Sequence, residues 1–458
     1  MSSTLVVIFG IVLVISGVSN ADNVAERLGL DAHTHIKYDR RGLSGATAAP
    51  GGGAAAGGAA PGGGAGINVG NCPGAKGDGA SDMTAVIQKA WDDACAGGQK
   101  LTIPTGIWLH GALNFKGPCP KPITIELLGT LKAKPDATSF PEMRHISLYS
   151  VSVTLTGGGT IDGNGVALQK TRKQTDKNLP DSMELMQCPD SSIEGIKFVN
   201  AKGFNLKVVQ SDNFKAHGLS ITCGGETLNT DGIHLARSKN VCITDCNIAV
   251  GDDCISIGDA SVDVTVKNIQ CGPGHGVSIG SIGRYPDEKD VRNVDISNVT
   301  FIGTSNGARI KTFHNSPAIA VSNITFSDIT IKDSFNPVVI DQHYNSGFTA
   351  AGGVSKVKIT GVTFRNIKGN SMSNMAVSLN CSSAAPCEGI TLEGISLTYT
   401  GNNSLSKELS TNCENAKATI TGSTIPMCGA TGGAGGAAAA GGAAASGGAA
   451  ASGGSKPK

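Results

Sequence analysis

Between residues 67 and 428 the chain keeps returning to one spacing, apolar-x-x-apolar-x-apolar, with Gly, Asn, Asp and Ser between the copies. The copies are Ile193/Ile196/Phe198, Ala216/Leu219/Ile221, Ile243/Cys246/Ile248, Val266/Ile269/Cys271, Ile296/Val299/Phe301, Val321/Ile324/Phe326, Ile359/Val362/Phe364 and Leu392/Ile395/Leu397. Short strands with a turn at every corner, one coil per roughly 25 residues, predict an all-β chain folded as a right-handed parallel β-helix, each coil about 4.8 Å from the last. A propeller would need antiparallel blades, and a sandwich would not return one pattern eight times. One segment differs. Residues 81–95 place Val86, Ile87, Ala90, Trp91 and Ala94 at helical spacing and predict an N-terminal helix capping the open end of the core.

Outside this region the composition changes. Residues 1–21 carry an apolar run from Leu5 to Ile15 followed by small residues, which predicts a secretory signal, with an uncleaved anchor as the alternative. A polar segment follows at 22–45. The Ala/Gly/Pro-rich tract 46–66 and the Ala/Gly/Ser-rich tail 429–458 hold too few large apolar groups to offset chain ordering, and read as linker and tail around a catalytic domain at 67–428. Thirteen cysteines and four sequons, at Asn298, Asn323, Asn380 and Asn402, agree with an exported, disulfide-bonded glycoprotein, and the odd cysteine count leaves at least one thiol over. Net charge of +1 and 16% charged residues exclude a broad polyanion-binding surface, so nucleic acid is not an expected partner.

The coil period turns sequence spacing into proximity. Asp231, Asp252 and His275 follow at about one coil each and are expected at equivalent places on successive coils, with Asp253 beside Asp252 and Gly251 supplying a bend that lets both acids face one way. Arg309 and Lys311 extend the row after a longer interval that includes the loop RYPDEKD. The bland alternative is a set of corner aspartates stabilising turns. Clustered carboxylates repel, so one holds a proton beside ionised neighbours, the arrangement of glycoside hydrolysis. The two cations are either ion-pair partners of the aspartates or a clamp for a substrate carboxylate.

Four motifs in order, Asn229-Thr230-Asp231, Gly251-Asp252-Asp253-Cys254, Gly274-His275-Gly276 and Arg309-Ile310-Lys311, resemble those of the polygalacturonases of glycoside hydrolase family 28. GAKGDGASD near the predicted helix, GTIDGNG at 159–165 and NPVVIDQHY ending at Tyr344 extend the resemblance across about 67–428. It implies Asp252 as general acid, Asp231 and Asp253 as holders of the attacking water and His275 as a helper. Arg309, Lys311 and Tyr344 would bind a galacturonate carboxylate, and Asn229 would orient its neighbours. It further implies no metal or cofactor and disulfides Cys254–Cys271, Cys381–Cys387 and Cys413–Cys428.

The stretch CGPGHGVSIGSIGRYPDEKDV is closer to plant exo-acting members, many from pollen, than to endo-acting ones. The expected protein is thus a secreted, monomeric cell-wall enzyme, off the membrane once the signal is cleaved, that hydrolyses polygalacturonate with inversion. An endo-acting enzyme, a pectate lyase and a non-catalytic pectin-binding β-helix are the alternatives. Leu228 stands where the family usually has proline, and Phe313 where it usually has tryptophan.

Overall fold

The computed structural model describes residues 66–426 apart from 174, 175, 177, 345–352 and 402–407, together with 428 and the backbone of 3–8 and 11–16. Ser3–Ile8 and Ile11–Ser16 form an antiparallel pair. The rest of the expected leader, the 22–45 segment, the linker to residue 65, the tail from 429 and the sequon at Asn402 lie outside the described residues.

From Ile67 onward the strands stack in parallel, as the repeat predicts. Eleven of them, from Leu113–Lys116 to Ser410–Glu414, form one sheet in which chain order is spatial order. Because strand side chains alternate, one position per coil points inward and the next outward. The inward row Ile146, Met183, Leu206, Ile233, Ile255, Val277, Ala308 and Val338 is in register and buried throughout. Each large aliphatic in it contributes about 1.5–3 kcal/mol on burial. The outward row, one residue later, reads Ser147, Glu184, Lys207, His234, Ser256, Ser278, Arg309 and Val339. This second row carries the chemistry.

The remaining coil walls hold the apolar repeats, with one correction. Val321/Ile324/Phe326 pairs with Val291/Val294/Ile296, and Ile359 pairs with Val321, so these two copies sit one wall earlier in the coil than the other six. Both walls are apolar inward, so the sequence pattern alone does not tell them apart. The corners are turned by Asn and Asp with positive φ, a conformation their short polar side chains tolerate. At one corner Asn298 Nδ2 donates to Asn268 Oδ1 (2.7 Å) and Asn268 Nδ2 to Asp245 Oδ1 (2.9 Å); at another Asn323 Nδ2 donates to Asn293 Oδ1 (2.9 Å). Two of the sequon asparagines are thus exposed rungs of corner ladders, and Asn380 is half-buried.

The predicted helix forms over Thr84–Gly97, a few residues later than expected, because Asp78–Asp82 is drawn into a strand. Ile87, Ala90, Trp91 and Ala94 are buried, and Trp91 stacks on Phe115 at 4.6 Å. Gln88 accepts from the Asn114 amide (2.8 Å) and donates to its carbonyl (2.9 Å), covering the first strand of the eleven-stranded sheet. A bond between Cys95 and Cys119, which the sequence did not assign, ties the helix down. Cys254–Cys271, Cys381–Cys387 and Cys413–Cys428 are also bonded, and Cys72, Cys188, Cys223, Cys242 and Cys246 are free. A second, six-residue helix, Val166–Thr171, is an addition to the single helix expected.

Candidate active site

Five consecutive strands of the eleven-stranded sheet, Ile233–Ala236, Ile255–Ile257, Val277–Ile282, Asn306–Phe313 and Asn336–Tyr344, carry or adjoin every candidate residue. Their register corrects the expected alignment. Ile233 pairs with Ile255 and Ile255 with Val277, a step of 22 residues, so the residue level with Asp231 is Asp253 and not Asp252. Asp252 lies one residue earlier, on the bend. The close approach at Gly251 makes that bend possible, since a Cβ there would collide with the Thr227 carbonyl. Gly251 also donates its amide to Thr230 Oγ1 (3.1 Å), fixing the NTD and GDD motifs to each other.

The bend gives the two adjacent acids different surroundings. Asp253 is 1% exposed; its Oδ1 accepts from Arg309 (2.5 Å) and Ser278 (3.0 Å), and its Oδ2 from Lys311 Nζ (2.8 Å). Arg309 Nε also donates to Ser278 Oγ (2.9 Å). Asp252 is more open. Its Oδ1 meets His275 Nδ1 at 2.9 Å and accepts from the Asp253 amide at 2.8 Å, and Asn229 Nδ2 reaches its Oδ2 at 3.5 Å. Asp231 is 5% exposed and its Oδ2 pairs with Ser256 Oγ at 2.7 Å, while Ser256 meets His234 Nδ1 at 2.8 Å.

These partners set the charges. Burial pushes the Asp231 carboxyl well above the usual carboxylate range, and the charges of Asp252 and Asp253 push it the same way against Lys311 and the Ser256 hydroxyl. Burial would also raise Asp252, but the His275 hydrogen bond and the Lys311, His275 and Arg309 charges outweigh it and pull that carboxyl down to about 2. Burial pulls His234 down to about 3, so it is a neutral imidazole near pH 7. The two acids are thus shifted in opposite directions, Asp231 upward and Asp252 downward.

Both cations are ion-paired to Asp253, the first of the two roles weighed for them. Tyr344 joins them, with Lys311 Nζ 5.2 Å above its ring and Phe313 edge-on to it at 5.4 Å. The sequence-derived set Asn229, Asp231, Asp252, Asp253, His275, Arg309, Lys311 and Tyr344 is thus brought together on one face. Asp252, Asp253 and His275 each offer a ligand atom within 4.8 Å of the others, the geometry of a metal site. Two cations already fixed on Asp253 make it a poor place for a third.

Five contributors fall outside the sequence motifs, His234 among them. Ser256 and Ser278 lie one coil apart in the outward row, and the step of 22 from His234 would have found them. Gln169 and Arg172 come from the short helix and the residue after it, with no period to reveal them. Gln169 Oε1 accepts from the Leu228 amide (3.0 Å), and Arg172 donates to the Leu228 carbonyl (2.6 Å) and to Asn229 Oδ1 (3.1 Å).

Comparison with known proteins identifies the family. Residues 95–424 match the model of the glycosyl hydrolases family 28. An exopolygalacturonase of Zea mays is 38% identical over 359 residues, covering 76% of this chain and 87% of its own. An exopolygalacturonase of Arabidopsis thaliana is 39% identical over 361 residues, covering 77% and 81%. In fold, the endo-xylogalacturonan hydrolase of Aspergillus tubingensis superposes with a TM-score of 0.65 at 24% identity, over 79% of this chain and all of that one. With the acids, their cations and the parallel coils all accounted for, the chain belongs to glycosyl hydrolase family 28, among relatives that include plant polygalacturonases.

Proposed function

We propose that the protein is a secreted exopolygalacturonase that hydrolyses α-1,4-galacturonosidic bonds of pectin in the cell wall, as a monomer and with inversion. The observation that carries this reading is the placing of two cations beside three acids on one coil face. The exo preference rests on the exopolygalacturonases among its relatives. Secretion rests on the apolar leader and on four disulfides, which persist in oxidising compartments.

Asp252 is the acid presented to the leaving oxygen, since among the three it has the most open carboxyl, at 19% exposure. It must first gain a proton. A galacturonate carboxylate docking on Arg309 and Lys311 cancels two of the charges that hold Asp252 low and adds a negative charge of its own, and both effects raise the Asp252 carboxyl. The substrate thereby loads the acid that cleaves it. Asp231 and Asp253 hold the attacking water, with Asp253 oriented by Arg309 and Lys311. Inversion needs room for that water between the acid and the groups that hold it. The anomer released is therefore the sharpest test of the water-holding assignment.

Polygalacturonate digestion with product sizing tests the rest. Galacturonic acid alone from the first minutes, as the β anomer by proton NMR, is the expected result. An oligomer ladder overturns exo action, an α anomer overturns inversion, and an unsaturated product end overturns hydrolysis. Asp252→Asn is expected to lower turnover at least about a hundredfold with an unchanged melting temperature.

A further inference from the structure

The loop carrying Asn229 and Asp231 belongs to no strand until Ile233, yet it sets the position of two acids. What holds it comes from outside the coil. Gln169 is buried, and its side-chain amide pairs with both backbone groups of Leu228: Oε1 accepts from the amide and Nε2 donates to the carbonyl, each at 3.0 Å. Its Nε2 also donates to the Lys202 carbonyl (2.5 Å), joining the loop to the preceding coil. The side chain thus does for Leu228 what a neighbouring strand would do. It requires a residue with an N–H at position 228, which a proline lacks.

Arg172 adds direction. A guanidinium only donates hydrogen bonds, so the Asn229 amide must turn its oxygen toward Arg172 Nη2. The same orientation turns Asn229 Nδ2 toward Asp252 Oδ2. Released from Arg172, the amide could flip and set its oxygen against a carboxylate oxygen. The Arg172 charge is attracted by Asp176 first and by Asp252 second.

Resting on the hydrolase reading above, we infer that Gln169 and Arg172 are positioning residues. Gln169 fixes the backbone at Leu228, and Arg172 fixes the rotamer of Asn229 and, through it, the carboxyl of Asp252. Neither touches the reacting atoms.

The test is kinetic, on the full chain, with oligogalacturonate as substrate and melting temperature followed in parallel. Arg172→Ala is expected to lower kcat about ten- to a hundredfold with little change in KM. It should also move the alkaline limb of the kcat profile to higher pH, because a cation near the acid is lost; Arg172→Lys should return the limb most of the way and kcat only in part. A purely structural role would lower kcat and melting temperature without moving the limb, and that result overturns the inference, as does an unchanged kcat.

Should Arg172→Ala not fold, the cycle of Gln169→Ala and Leu228→Pro decides. With the amide hydrogen already removed by proline, Gln169→Ala should cost clearly less in kcat than it does in the natural background. Equal costs overturn the inference. An inactive natural chain would instead overturn the hydrolase reading, and the inference with it.

Discussion

Asp231 and Asp253 stand level on neighbouring coils, both almost sealed from water, and they are held in opposite ways. Asp253 receives Arg309, Lys311 and Ser278; Asp231 receives a serine hydroxyl. Both side chains are buried, so partners and not depth distinguish them. The outward row makes the difference, because two coils beyond Asp253 it holds Arg309, whereas two coils beyond Asp231 it holds Ser278. One acid becomes the anchor of the cations, and the other, without them, has its carboxyl pushed up by burial and by the neighbouring acids.

The largest effect should come from stripping the anchor. Lys311→Met leaves a buried carboxylate short of a cation and is expected to cost about 3–5 kcal/mol in unfolding free energy. Adding Asp253→Asn in the same chain should recover most of it in chemical denaturation, and no recovery would mean that the pair is not the source of the loss.

A second test concerns the acid that both neighbours influence. If the bound carboxylate raises Asp252, the alkaline limb of kcat lies at higher pH than that of kcat/KM, by about one unit or more. Coincident limbs would leave the cations without this role.

Stability against pH separates the two acids further. A carboxyl raised in the folded state binds its proton more tightly there than in the unfolded chain, so stability falls as pH rises above the unfolded value of roughly 4. Asp231→Asn should remove that fall, leaving the variant increasingly favoured over the natural chain from pH 4 toward 7. Asp252, pulled down to about 2, works in the other sense and loses its contribution as pH drops from roughly 4 to 2. The smallest change expected is Ser256→Ala, about 1 kcal/mol for the lost partner of Asp231. A loss of several kcal/mol there would show Asp231 to be a carboxylate in need of its donor.

The comparison also shows what a sequence displays of such a site. The solenoid was legible because its period is written into Ile193, Ala216, Ile243 and their successors, and the acids, histidine and cations came together because they ride on that period. The phase was not legible. Asp252 and Asp253 are adjacent, and only the backbone bend at Gly251 decides which is level with Asp231. Two of the apolar copies fall one wall earlier than the other six for a similar reason, since both walls present the same alternation. Gln169, Arg172 and Cys119 were invisible for another: they reach the site or the cap from segments outside the repeat, and contacts of that kind leave no spacing to count. Leu228 departs from the family pattern, and the Gln169 side chain that takes up its amide hydrogen accounts for it.

A last consequence follows from Gln88. A stack of parallel coils ends in a row of open amides and carbonyls, a template on which another chain could add strands and grow a fibre. By occupying both backbone groups of Asn114 from a helix fastened through Cys95 and Cys119, the protein withdraws part of that template from circulation. The helix thus covers part of that edge as well as the core, and reducing the chain is expected to bring on aggregation, measured by light scattering, before any loss of the coils behind it.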